Sequence, residues 1–239
     1  MIAVSSWAVD EWLLQQPAES RWSSFFDGLA ERDIHRAEVC HFHLPEDTAL
    51  FSEAAAKSGV TLQTLLIDDG DLTNEGATAE WEKWIAEKLR IAEALGFERA
   101  RVIGGKTVAP NAVPMAAEAL LRLAAGTKVR IITENWFGVL DTPEAVNEIL
   151  DLTEGEIGLC ADFGNWPASR KYEDLPKILA RAETAHAKAD FDGNGELEEE
   201  SFRRLVGLAK DAGFEGPYVF VAGGWKGIEQ SAAVIRELA

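Results

Sequence analysis

The feature that most limits how this chain can fold is an alternation repeated along its whole length. Eight short apolar, often β-branched runs are each followed by a helical pattern, at a spacing of about 25 to 35 residues. Parallel strands need crossover connections, and helices supply them, so strict strand and helix alternation predicts an α/β fold with a parallel sheet. Eight such units in 239 residues match a (β/α)8 TIM barrel, which routinely takes about 250 residues as a single domain. The expected domain is therefore the whole of residues 1–239. A doubly wound sheet would need a glycine-rich phosphate loop after its first strand, and Ser5-Ser6-Trp7 is not one.

The strand candidates begin with Ile2 to Trp7, Ala37 to Leu44, Gly59 to Ile67 and Arg99 to Ile103. They continue with Val129 to Trp136, Ile157 to Asp162, Thr184 to Ala189 and Pro217 to Val221. Thr184-Ala-His-Ala-Lys-Ala189 is alanine-rich and earns its strand assignment only from its place in the alternation. Helices are expected over Trp12 to Leu29, Thr48 to Lys57, Trp81 to Leu95, Pro114 to Ala125 and Pro143 to Leu152. Three more follow over Tyr172 to Glu183, Leu197 to Ala212 and Ile228 to Leu238. Trp81, Trp84, Ile85, Ala92 and Leu95 recur at helical spacing before Gly96, while Thr142-Pro143-Glu144 reads as a helix start.

Charge removes several classes of partner. The formal net charge is -18, with no basic cluster, so nucleic acid and anionic membrane surfaces are not expected partners. The two cysteines, Cys40 and Cys160, lie in apolar runs and offer neither a disulfide framework nor a thiolate zinc spacing. Met1-Ile-Ala-Val carries no positively charged leader, and no apolar span reaches membrane length. A soluble, cytoplasmic protein is the expectation.

In a TIM barrel, sites gather where the strands end at their carboxyl termini. The run Val129-Arg-Ile-Ile-Thr-Glu-Asn-Trp136 is apolar until it delivers a carboxylate, an amide and an indole at its end. Asp162 and His186 occupy the ends of strands six and seven, adjacent in the barrel to Glu134. Two carboxylates and an imidazole converging on one mouth are a candidate site for a divalent ion, with Mn2+, Mg2+ and Zn2+ all suited to oxygen and nitrogen ligands. Capping roles for single carboxylates and a structural role for a lone histidine are the competing readings.

Four segments give the chain a resemblance to a known family over nearly its whole length. They are Glu134-Asn135, Asp162-Phe-Gly-Asn165, His186-Ala-Lys188 with the acidic loop Phe191-Asp-Gly-Asn-Gly195, and the Gly213-Phe-Glu-Gly216 turn. In that order on a full barrel they resemble the xylose isomerase-like TIM barrels, in the branch called sugar phosphate isomerases/epimerases. The resemblance implies one divalent ion held by Glu134, Asp162, His186 and a second glutamate from strand eight, and it implies that the two glutamates form an acid/base pair. The strand-eight position falls on Val221. A valine cannot bind a cation, so the implied site is a weaker one with three ligands, or is lost.

Glu134 is then the one carboxylate left of the implied pair. Its substitute partner is sought among Lys188, Asp190 and Asp192, with Lys188 taken as the second catalytic candidate. Trp7, Trp136, Trp166 and Trp225 fall at or just after the ends of strands one, five, six and eight, where indole faces suit the C–H surface of a sugar. His41 and His43 on strand two, Asn135, Asn165 and Lys106 complete the expected substrate contacts. Asp190 to Ser201 resembles the start of an EF-hand loop, but its twelfth position is Ser201 instead of a bidentate glutamate, so an ordered acidic turn is expected.

The function so implied is divalent-metal-dependent isomerisation or epimerisation of a small sugar or sugar-like polyol through an enediolate. Two alternatives stand beside it: a metal-dependent polyol dehydratase or lyase, which needs a single base, and an inactive carbohydrate-binding barrel, which Val221 motivates. Members of the family are often homodimers.

Overall fold

The computed structural model describes residues 1–136 and 138–238. Eight parallel strands close into a barrel in sequence order: β1 (Ile2–Ser5), β2 (Arg36–Cys40), β3 (Thr61–Ile67), β4 (Arg99–Val102), β5 (Arg130–Glu134), β6 (Gly158–Asp162), β7 (Thr184–His186) and β8 (Tyr218–Phe220). The expected (β/α)8 barrel is the fold observed. The ring closes where Ile2, Ala3 and Val4 pair with Tyr218, Val219 and Phe220.

Each strand feeds a crossover that is wholly or largely helical. These carry α1 (Asp10–Gln15), α2 (Arg21–Ala30), α3 (Ala49–Ser58), α4 (Thr78–Leu95), α5 (Ala112–Ala124) and α6 (Pro143–Leu152), then α7 (Lys171–Asp174), α8 (Pro176–Leu179), α9 (Glu199–Asp211) and α10 (Gly224–Leu238). Local chemistry sets their ends. Thr142 caps α6 by accepting from Ala145 N at 3.2 Å, with Pro143 at the first helical position, while Gly96 closes α4 at φ +80°. The single helices expected over Trp12 to Leu29 and Tyr172 to Glu183 are each broken in two, beside Pro17 and at Pro176. Proline has no N–H to continue a helical ladder, so each acts as a break or a fresh start.

Side chains alternate across every strand. Val39, Leu65, Val102, Ile131, Leu159 and Phe220 face the helices and join the main apolar core. The opposite rows fill the barrel, and there the composition changes. Ser5, Glu38, Arg101, Glu134, Asp162 and His186 are all buried polar or charged groups of the barrel strands. The amino-terminal end is floored by ion pairs: Glu183 is held by Arg130 Nη2 at 2.6 Å and by Arg99 Nε at 3.2 Å, and Glu98 pairs with Arg36 and Arg99. A Cβ on Gly158 would collide with the Glu183 carboxylate, so glycine is what lets Glu183 fold beneath the barrel.

Most strands are shorter than expected, and in two of them the difference moves candidate site residues into loops. β2 stops at Cys40, and His41, Phe42 and His43 lie in the turn beyond it, so period-two reasoning no longer applies to either histidine. β7 stops at His186, leaving Ala187, Lys188 and Ala189 in the following loop. That loop continues into a tight acidic turn in which Asp192 accepts from the backbone N–H of Asn194 at 2.8 Å and of Glu196 at 2.9 Å. Among the described residues, no helix is long and apolar enough to cross a membrane.

Candidate metal and substrate site

The parallel register brings the ends of β5, β6 and β7 side by side, pairing Glu134 with Cys160 and Asp162 with His186. They open on a cavity of about 450 Å3 at the carboxyl end of the barrel. Its wall includes Glu134, Asp162, His186, Asn165, Lys188 and Val221. Three of the expected ligands and the valine in the fourth position thus meet at one cavity.

His186 is the pivot. Its Nε2 lies 3.0 Å from Glu38 Oε1, a carboxylate buried inside the barrel on β2. Donation from Nε2 to Glu38 leaves Nδ1 facing Asp162 Oδ2 at 3.4 Å and Glu134 Oε1 at 3.5 Å. In the neutral imidazole Nδ1 is then an acceptor, and it faces two acceptor oxygens. They repel unless a proton or a cation lies among them. Burial opposes charge on His186, but its neighbours win and the imidazole is held well above its ordinary value. Cys160, Glu38 and Glu134 act in that direction; since burial itself keeps the Cys160 thiol protonated, the carboxylates are the charges that matter. Asp162 is held low: burial raises it, and the hydrogen bond and charge of His186, with Lys188 beyond, outweigh that.

The donor set therefore fits a divalent ion. Glu134, Cys160 and His186 offer ligand atoms that all lie within 4.8 Å of one another and could coordinate one. Asp162 supplies an oxygen nearer still to His186 Nδ1. Hard ions such as Mg2+ and Mn2+ prefer its carboxylate to the thiol of Cys160, which is absent from the cavity wall. Glu38 occupies the place of the outer carboxylate that fixes a ligating histidine's tautomer, and its Oε2 is buried with no partner among the described residues.

Arg101, on β4, is the cation already built into this cluster. Its side chain is 2% exposed, its Nε lies 3.0 Å from Glu134 Oε2, and its Nη2 pairs with Asp68. The guanidinium lies over the Trp136 ring, 5.1 Å from its centroid. Burial opposes its charge, while Asp68, Glu134 and Glu38 hold it firmly protonated. Asp68 is in turn a hub, accepting from Trp7 Nε1 at 2.7 Å and from Cys40 Sγ at 3.2 Å. Burial raises the Asp68 carboxyl, and Arg101 with these donors brings it below the ordinary range. Glu134 is gripped on its other oxygen by Asn165 Nδ2 at 2.7 Å.

The remaining expected contacts divide clearly. Trp7, Trp136 and Asn165 are on the cavity wall with Lys188, whose stem lies over Gly164 so closely that a Cβ there would meet its Cδ at 2.5 Å. Of the three candidates for a second acid or base, Lys188 alone lines the cavity. Asp190 faces Lys171 at 3.5 Å, and Asp192 is spent on its turn.

Other residues are placed elsewhere. Asn135 is used to clamp β5 to β6, donating to Asp162 O at 3.1 Å and accepting from Asp162 N at 2.6 Å. Trp166 is buried behind Asn165, 5.6 Å beneath the Arg170 guanidinium, and Trp225 packs between Trp12 and Arg32 on the helical shell. His43 sits between Ser6 Oγ and Asp10 Oδ1, both at 2.8 Å, and His41 Nδ1 meets the backbone of Leu66 and Asp68. Lys106 pairs with Asp69 at 2.8 Å. None of these residues lines the cavity.

Glu38, Asp68 and Arg101 had not been singled out from sequence, and one signal could have found two of them. Ala37-Glu-Val39 and Ala100-Arg-Val102 each place a charge between apolar residues of a strand that helices cover on its outer face. Such a charge has to point into the barrel.

Among solved structures, a xylose isomerase-like TIM barrel protein from Mycobacterium smegmatis in complex with magnesium is similar at 15% identity, TM-score 0.70, over 99% of this chain and 96% of that one. A D-allulose 3-epimerase from Methylomonas sp. is similar at 13% identity, TM-score 0.73, over 99% and 96% of the two chains. The 3-keto-D-glucoside 4-epimerase of E. coli in its apo form is similar at 15% identity, TM-score 0.73, over 99% and 98%. The chain thus has the fold of the xylose isomerase-like TIM barrels. No family model matches the sequence. No curated protein matches it in sequence either.

Proposed function

We propose that the protein is a divalent-metal-dependent isomerase or epimerase of a small sugar or sugar-like polyol. The observation that carries this reading is that His186 Nδ1 faces both Glu134 Oε1 and Asp162 Oδ2 beneath an open cavity, with Glu38 at the histidine's other nitrogen. The similar epimerase structures support the choice of substrate class.

Glu134, Asp162 and His186 would hold the ion, and the Cys160 thiol, off the cavity wall, lies within reach of Glu134 and His186 as a softer donor. A divalent ion in such a site acts as a Lewis acid that polarises a carbonyl and its neighbouring hydroxyl. Glu134 is the base that takes the proton from the carbon beside the carbonyl, with Asn165 and Arg101 fixing its orientation. Lys188 donates a proton to the carbon from another part of the wall; Glu134 then releases to solvent the proton it took and Lys188 takes one up from solvent, so both groups return to their starting states and the turnover balances. Trp7 and Trp136 give the sugar its apolar face, and the cavity has room for a monosaccharide.

A dehydratase reading is favoured by one observation, Val221 in place of a second carboxylate on the wall. One base and one general acid suffice to remove a proton and expel a hydroxyl. The test starts from protein prepared without chelator, which should carry about one divalent ion per chain by elemental analysis, with Glu134→Gln and His186→Ala losing it. Incubation with ketohexoses in D2O then separates the chemistries. Deuterium incorporated with an epimeric product marks an epimerase, a deoxy-keto product marks a dehydratase, and metal-free protein indifferent to both substitutions would sink both.

A further inference from the structure

One group on the cavity wall is left over by the chemistry above. Arg101 Nη2 pairs with Asp68, Nε lies 3.0 Å from Glu134 Oε2 without completing a hydrogen bond to it, and Nη1 is buried with no partner among the described residues. A buried guanidinium N–H with nothing to donate to is costly, so such a group calls for an acceptor. Every neighbour of Arg101 holds it rigidly. Asp68 is itself fixed by Trp7 and Cys40, and Trp136 supports the guanidinium plane. The result is a charged donor, preorganised and on the wall of the cavity, beside the carboxylate assigned as base.

We infer that Arg101 is a substrate-positioning residue, its Nη1 donating to an oxygen of the bound ketose next to the carbon that Glu134 deprotonates, and that Asp68 holds it in place for this. The inference rests on the sugar isomerase or epimerase reading. It also bears on the missing strand-eight carboxylate: with Val221 in that position, a ligand oxygen loses one orienting contact, and Arg101 supplies another from β4. A neutral oxygen is the fitting acceptor, because the guanidinium's charge is already matched by two carboxylates, and an anionic group would find more acid than base on this wall.

The test is titration of Mn2+-loaded protein with D-tagatose and D-fructose, followed by tryptophan fluorescence, since Trp7 and Trp136 line the cavity. Arg101→Lys keeps a positive charge between Asp68 and Glu134 but lacks the third arm of the fork. It should bind ketose roughly 10- to 100-fold more weakly. Because Arg101 also orients Glu134, the variant's Mn2+ affinity, read by isothermal titration, should fall by no more than the roughly 10- to 100-fold of an outer-shell change, so ketose binding is compared at saturating Mn2+. Asp68→Asn retains the guanidinium and loosens it; a loss of roughly 3- to 10-fold in ketose affinity is expected there, which keeps the test open if the lysine variant does not fold. Wild-type ketose affinity in whichever variants fold would overturn the role of Arg101 and leave the function standing. Failure of the wild-type protein to bind any ketohexose overturns the function, and this inference with it.

Discussion

Replacing Arg101 with methionine tests whether the polar interior is held together as described. Methionine keeps much of the side-chain length and removes the charge. Two carboxylates would be left behind, Asp68 at 10% side-chain exposure and Glu134 at 0%, both without their cation. Breaking a buried pair by removing one partner costs about 3 to 5 kcal/mol, far more than the net worth of the pair, because the desolvated partner remains. For a chain of this size about 1 kcal/mol corresponds to roughly 2 to 4 °C, so the melting temperature should fall by roughly 6 to 20 °C.

Thermal unfolding followed by circular dichroism, in the presence of chelator and at pH 7, reads this directly. The direction of the pH effect follows from Asp68. Its carboxyl lies below its ordinary value of 3.8 in the folded protein, so the stability it contributes is present above that value and is lost as pH falls through the folded one. The penalty of Arg101→Met should therefore persist from pH 7 down to about 4 and shrink only below that, as pH falls through the folded value. Adding Asp68→Asn to the methionine variant should recover part of the loss, with a coupling of about 0.5 to 3 kcal/mol. A loss below about 1 kcal/mol at pH 7, or a double variant that is simply additive, would refute the claim that Arg101 neutralises this cluster.

Three further outcomes are expected. Val221→Glu should tighten Mn2+ binding by at least about 10-fold in calorimetric titration, because it returns a charged oxygen ligand to the cavity; unchanged affinity would show that position 221 does not reach the ion. Glu38→Gln should weaken metal binding by roughly 10- to 100-fold by the same measurement, although Glu38 itself is no ligand, since the histidine behind which it stands loses its orienting acceptor. Asp71, held at about 2 against the pull of burial by Thr107, Thr73 and the Lys106 N–H, ties the β3 and β4 loops together. That shift from 3.8 is worth about 2 kcal/mol at neutral pH, so Asp71→Ala should lower the melting temperature at pH 7, and the difference should fade between about pH 4 and pH 2.

The architecture was legible because it follows from repetition: eight alternations leave few arrangements of a parallel sheet, and the strand ends are where a barrel keeps its chemistry. Glu134, Asp162 and His186 could be picked out for the same reason, each ending an apolar run with a polar group. The histidines after β2 could not be placed because alternation tells which face a residue takes only while the strand lasts, and β2 ends one residue before His41. Trp225 looks from sequence like a residue of the mouth, yet the turn at Gly223 and Gly224, both at positive φ, carries it into α10 and out to the helical shell. Glu38 and Arg101 lie in mid-strand, where a charge resembles a solvent-facing residue unless the expected covering helices are used to turn it into the barrel. Their importance arises from closure of the barrel, which joins β2 to β7 through the ring interior across 148 residues of sequence.

The ion-paired floor makes the two ends of the barrel separate undertakings for evolution. Glu183, Arg99 and Arg130 support the closed ring from below without touching the residues of the upper cavity. Position 158 is barred to any larger side chain by that floor, whereas Val221 at the opposite end borders the open cavity. A lineage can therefore discard or recruit chemical groups at the mouth while the foundation that keeps the ring shut is inherited unaltered.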